Sequence, residues 1–178
     1  MSKIIFLDID GVLNAFNYPK ELAEQNKPWR DEFGVLFAPS CVEQLKRIID
    51  ATGASIIISS SWKIPFDGDT DRDTLERIRE MWKKRNLPGN ITDATPNLSF
   101  QEIIEMDCFS DCTRHKGYEI EQWRRYHHYH SCSYVIIDDE SIGALPNHKG
   151  HFVQTTGRMG LTAKDADKVI KILNSKIL

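Results

Sequence analysis

Three apolar runs in this chain of 178 residues end in oxygen-bearing side chains. Ile4 to Leu7 runs into Asp8 and Asp10, Ile56 to Ile58 into Ser59 and Ser60, and Tyr134 to Ile137 into Asp138 and Asp139. Buried carboxylates are costly unless a cation or hydrogen bonds compensate them, so several in one cleft require positive charge beside them. Oxygen ligands with no His or Cys on the same strand ends favour Mg²⁺ over softer ions. Magnesium keeps waters and shares its remaining coordination with substrate phosphate, which points to phosphoryl chemistry. For Phe6 to Gly11 taken alone, the competing reading is a strand that stops in an Asp-Gly turn.

For these groups to meet, the three runs must be parallel strands of one sheet. Each is short and uniformly apolar, as a strand buried on both faces should be. Between the first two, Ser40 and Glu43 have the spacing of a capping box. Val42, Leu45, Ile48 and Ile49 then give a helix its apolar stripe, and Gly53 suits its exit. Strand, helix and strand argue for a parallel pair, and open α/β sheets bind ligands at the carboxyl ends of their strands. Leu75, Ile78 and Trp82 mark a helix ending near Asn86-Leu87-Pro88-Gly89. Ser99 and Glu102 offer another capping box, and a helix from about Gly117 to His128 turns Ile120 and Trp123 inward. His151 to Thr155 suits a fourth strand, and Thr162 with Asp165 caps a last helix carrying Ala166, Val169, Ile170 and Leu173.

The fold expected is a doubly wound, Rossmann-like α/β domain, a parallel sheet flanked by helices, spanning residues 1–178. Residues 14–38 are too many for a plain strand-to-helix loop and read as a flap-like insertion, with a small hairpin or flap at Phe33 to Phe37 over the end of the first strand. Residues 62–115 read as a small cap-like elaboration, with a short strand or flap at Ile91-Thr92.

Hydrophobic content of 40% and charged content of 28% are ordinary for a globular chain. A net charge of −3 excludes a global basic field, though it leaves room for a local basic groove. No apolar run approaches a membrane span and Met1-Ser2-Lys3 has no signal-peptide profile, so a cytoplasmic protein with no membrane partner is expected. No obligate protein partner is evident either. The four cysteines, at 41, 108, 112 and 132, are most simply free thiols. Cys108, Cys112, His115 and the His127 to Cys132 run supply zinc-ligand types but not the spacing of a ribbon or finger. Trp62, Trp82 and Trp123 read as packing, and Lys83-Lys84-Arg85 and Arg124-Arg125 as solvated helix faces.

Phe6 to Gly11 resembles the first motif of the haloacid dehalogenase-like (HAD) superfamily of aspartate-nucleophile phosphohydrolases. Ile56 to Ser59 resembles the second motif, Lys116 the third-motif lysine and Ile136 to Asp139 the fourth. Asp8 to Asn14, Ser59 to Lys63 and Gly160-Leu161-Thr162 resemble a narrower group, the HAD domain named after Swiss Army Knife RNA-repair proteins. The resemblance implies Asp8 as nucleophile and Asp10 as acid and base, with Gly11, Ser59, Ser60 and Lys116 around the phosphate. It implies Mg²⁺ held by Asp8, the Asp10 main-chain carbonyl and Asp138, with Asp139 ligating or holding waters. Ser59 and Ser60 compete for the phosphate role, Arg114 and Lys63 compete with Lys116, and Asp138-Asp139 could instead cap a turn.

The function expected is a Mg²⁺-dependent phosphatase forming an aspartyl-phosphate. Its partner would be a phosphorylated small molecule or, through the narrower resemblance, a nucleotide or nucleic-acid end. The alternatives are a non-catalytic phosphate- or RNA-binding module of the same fold and a phosphotransferase to an acceptor other than water. Holding both Asp8 and Asp10 speaks against the module, which needs no nucleophile and acid pair.

Overall fold

The three apolar runs form neighbouring strands: β1 (Lys3–Leu7), β4 (Ser55–Ile58) and β6 (Ser133–Asp138). This is a computed structural model, and it describes residues 2–106, 115–127, 132–141 and 148–175. With β5 (Ile91–Ala94) and β7 (Phe152–Gln154) these strands make a five-stranded sheet in the order β5-β4-β1-β6-β7, every pair parallel. Leu7 pairs with Ile58 on one side and Ile137 on the other. The next residue of each strand, Asp8, Ser59 and Asp138, therefore lies at one level along the carboxyl edge. The register alone brings two carboxylates and a hydroxyl together.

Alternation along the strands feeds two cores. Ile5, Leu7, Ile56, Ile58, Val135 and Ile137 face α2 (Pro39–Thr52), α3 (Asp71–Lys84) and α6 (Ala163–Asn174). Ile4, Phe6, Ile57, Tyr134 and Ile136 face α5 (His115–Tyr126) through Ile120 and Trp123. Both faces are covered, which is why the strands are apolar throughout rather than alternating. Each fully buried Ile or Leu contributes roughly 1.5–3 kcal/mol.

Helix boundaries follow local chemistry. Capping boxes at Thr70/Asp73 and Thr162/Asp165 start α3 and α6, and Ser99 with Glu102 starts α4 (Phe100–Met106). Gly53 closes α2 in the left-handed conformation. The start of α2 corrects the sequence reading. Its N-cap is Ala38, with no side-chain cap, and Pro39 opens the helix. Proline needs no amide partner there, so the Ser40/Glu43 box is unnecessary. Ile91-Thr92 belongs to β5, an edge strand of the main sheet rather than a flap.

Residues 14–38 contain α1 (Asn17–Glu24) and a hairpin of β2 (Arg30–Asp31) with β3 (Gly34–Val35). Arg85 at the end of α3 holds that hairpin through Asp31 at 2.6 Å and the Val35 carbonyl at 3.1 Å. Among the described residues no helix is long and apolar enough to cross a membrane.

Candidate active site

Asp8 leaves β1 with its amide donating to the Ile137 carbonyl at 3.0 Å, and its Oδ1 accepts from the Ile9 amide at 2.8 Å. The carboxylate is buried. Lys116, in the first turn of α5, reaches Asp8 Oδ2 at 3.0 Å and Asp138 Oδ2 at 2.9 Å. Asp138 Oδ1 takes the Glu140 amide at 2.9 Å. One carboxylate oxygen from each of Asp8, Asp138 and Asp139 lies within 4.8 Å of the other two. Three carboxylates face one ammonium, so the cluster is one cation short.

The titration shifts reflect burial first and that deficit second. Burial and then the Asp8 charge push the Asp138 carboxyl up to about 7, against the opposing pull of Lys116. Burial, Asp8 and Glu140 raise Asp139 as well. For Lys116, burial would lower the affinity for its proton, but Asp138 and Asp8 outweigh it and hold the ammonium above its usual range. Hard carboxylate oxygens grouped this closely, three of them facing one ammonium, fit a Mg²⁺ ion.

The backbone is shaped to admit Asp139. Gly11 has φ +67°, and a Cβ there would stand 2.2 Å from Asp139 Oδ2. At Gly157 a Cβ would stand 2.7 Å from the same oxygen. Glycine is favoured at Gly11 by conformation as well as by this close approach. Thr155, just past β7, fixes this turn: its hydroxyl donates to the Gly11 carbonyl and its amide to the Asp138 carbonyl, both at 2.9 Å.

Asp10 stands apart from the ion-paired cluster and is half-buried. Its Oδ1 accepts from Asn14 Nδ2 at 2.5 Å and its Oδ2 from the Trp62 indole N–H at 3.0 Å. The Gly11 amide in turn donates to Asn14 Oδ1 at 3.0 Å. Both oxygens of Asp10 are therefore oriented by N–H donors. Trp62 packs against the core as the sequence reading expected, and its indole nitrogen has a further role as a donor to the Asp10 carboxylate. The available signal was its position immediately after the serine run that ends β4.

The two serines differ. Ser60 Oγ accepts from the Trp62 amide at 3.5 Å and caps the short 3₁₀ turn Ser61–Lys63. Ser59 Oγ is buried and has no hydrogen-bond partner among the described residues. A buried hydroxyl left open costs about 1–3 kcal/mol, so an orphan at a strand end marks a place for an acceptor.

Lys63 does not join the carboxylates. It is buried against Glu119 at 3.2 Å, with the Pro96 carbonyl at 3.0 Å and Asn97 Oδ1 as further acceptors. Arg114, Cys108 and Cys112 lie outside the described residues, as do His128, His130 and the zinc reading built on them; His115 is exposed. Cys41 and Cys132 are buried, and neither forms a disulfide among the described residues. Trp82 donates to the Pro88 carbonyl and Trp123 to Asp93, which are packing roles. Lys84, Arg85, Arg124 and Arg125 are all ion-paired.

The family model for the HAD domain in Swiss Army Knife RNA repair proteins matches residues 4–166. The chain belongs to this family. The match begins in β1 and ends in the first turn of α6, so all the site residues named above fall within it. No curated protein matches the chain significantly. Membership in the HAD family and the buried Asp8/Asp138/Asp139 cluster together support a hydrolase role.

Proposed function

We propose that the chain is a Mg²⁺-dependent phosphatase that hydrolyses a phosphomonoester through an aspartyl-phosphate on Asp8. The observation that carries this reading is Asp8 itself. It is a buried carboxylate ion-paired to Lys116 at 3.0 Å, in a cluster with two positive charges too few. Such a group is poised as a nucleophile once the phosphoryl charge is offset.

In the first step an Asp8 oxygen bonds to phosphorus while the bond to the leaving oxygen breaks, and the Asp10 carboxyl delivers its proton to that oxygen. In the second, Asp10 takes a proton from water, the water oxygen bonds to phosphorus and Asp8 departs as carboxylate. Trp62 and Asn14 hold Asp10 in one orientation for both transfers. Ser59, the open hydroxyl, donates to a phosphoryl oxygen, with Gly11 and Ser60 adjacent. Lys116 offsets charge on nucleophile and phosphate together. Asp8, the main-chain carbonyl of Asp10, Asp138 and Asp139 would hold Mg²⁺, which when bound supplies positive charge for the phosphoryl oxygens. A nucleotide or the phosphorylated end of a nucleic acid is the substrate class that the family's description favours.

The test is hydrolysis of p-nitrophenyl phosphate, a nucleoside monophosphate and a 5′-phosphorylated RNA oligonucleotide, with Mg²⁺ or with EDTA. Metal-dependent release of phosphate that is lost in Asp8→Asn and crippled in Asp10→Asn is expected. Wild-type protein inert on all three substrates, yet binding the oligonucleotide, would replace this reading with the binding module.

A further inference from the structure

Beside Asp10 the surface opens into a cavity of about 260 Å³. Its walls are Trp62 and, from the hairpin, Phe33; its floor is Ile78 and Met81 of α3; its mouth carries Ile64 and Phe66. Ile78 and Met81 are buried, whereas Ile64 is 58% and Phe66 77% exposed. Apolar side chains held in water around a preformed hollow gain by being covered, and aromatic walls favour a planar ring. The charged groups at this cavity are already engaged: Glu32 pairs with Lys84 at 3.0 Å and Arg77 with Asp69. No ammonium or guanidinium among the lining residues is left free for a second phosphate.

Trp62 connects this cavity to the chemistry. Its indole nitrogen binds Asp10 while its ring lines the hollow. If Asp10 protonates the leaving oxygen, the leaving group departs on the Trp62 side, with its body toward the cavity. We infer that the hollow between the β2-β3 hairpin and α3 is the leaving-group subsite, and that it takes an aromatic ring. This rests on the phosphatase reading and names its substrate class: a phosphomonoester whose alcohol carries an aryl group or a nucleobase.

The test measures kcat/KM of wild type, Phe66→Ala and Ile64→Ala on p-nitrophenyl phosphate, adenosine 5′-monophosphate and glycerol 3-phosphate. Variant is compared with wild type on each ester, because the esters differ in intrinsic reactivity. Both positions are exposed, so the substitutions leave the fold in place. Phe66→Ala is expected to lower kcat/KM about tenfold on at least one ring-bearing ester, Ile64→Ala less, and neither to change glycerol 3-phosphate. A loss confined to p-nitrophenyl phosphate assigns the subsite to a ring on the ester oxygen; one confined to the nucleotide assigns it to a base. Equal loss on all three esters, or no loss on either ring-bearing one, overturns the inference while leaving the phosphatase reading intact. Absence of turnover by wild type on every one of these esters and on the 5′-phosphorylated RNA oligonucleotide overturns both.

Discussion

Two lysines lie near the carboxyl edge of this sheet, Lys63 buried and Lys116 half-buried, and they have opposite fates. Lys63 meets one carboxylate, Glu119, and two neutral oxygens. Burial wins there and pulls its proton affinity down despite Glu119. Lys116 meets two carboxylates within 3.0 Å, and they outweigh its burial. The Lys63 pair is electrically complete and ties the end of the 3₁₀ turn to α5. The Lys116 cluster is incomplete, since Asp139 and the shared charge of Asp8 and Asp138 leave it negative. A complete pair holds structure together, whereas an incomplete one leaves negative charge that a cation could offset.

Breaking each pair should separate these roles. Lys116→Met should lower turnover about 10³-fold, equivalent to about 4 kcal/mol, measured by steady-state hydrolysis of p-nitrophenyl phosphate in saturating Mg²⁺. Lys63→Met should instead destabilise the fold by about 3 kcal/mol in urea unfolding, because it strands Glu119 in the interior. Lys63→Met combined with Glu119→Leu should recover most of that loss. A Lys63→Met protein as stable as wild type would contradict the structural role.

Trp62 sharpens the comparison at the site's outer edge. Trp62→Phe removes the indole donor to Asp10 and should lower kcat about tenfold. Glycerol 3-phosphate is the substrate for this measurement, since it leaves the aromatic cavity empty.

The smallest effect concerns the support behind Lys116. His148 is fully buried, accepting from the Tyr134 hydroxyl at 2.9 Å and donating to the Gly117 carbonyl at 3.3 Å, next to Lys116. Burial depresses its proton affinity below the usual 6.5, the Gly117 carbonyl opposing, Arg124 and His151 lowering it and Glu121 raising it. The unfolded chain therefore takes up a proton below pH 6.5 that the folded chain refuses. Stability from this group is full above that pH and declines below it. The stability advantage of wild type over His148→Gln should shrink between pH 7.5 and 5.5, as read by urea unfolding across about that range.

Much of the site was legible because it hangs on strand ends. Apolar runs of equal register deliver Asp8, Ser59 and Asp138 to one level, and periodicity alone exposes such runs. Lys116 was legible only through the family motif, since one lysine at a helix start looks like any other. What stayed hidden lies between segments distant in sequence. Trp62 reaches Asp10 across 52 positions and Thr155 reaches Gly11 across 144, and no local pattern encodes either contact. The closeness of Asp139 to Gly11 and Gly157 is likewise a fact of three dimensions. The Ser40 box failed because Pro39 already opens the helix, and Ile91-Thr92 was too short a run to be distinguished from a flap.

The most direct test is a rapid quench of wild-type protein during turnover of p-nitrophenyl phosphate with Mg²⁺, followed by peptide mass analysis. A phosphoryl group on the peptide containing Asp8, present during turnover and absent from Asp8→Asn, is the expected result. Steady turnover with no phosphorylated peptide at any time point, or a phosphoryl group carried on another residue, would contradict it.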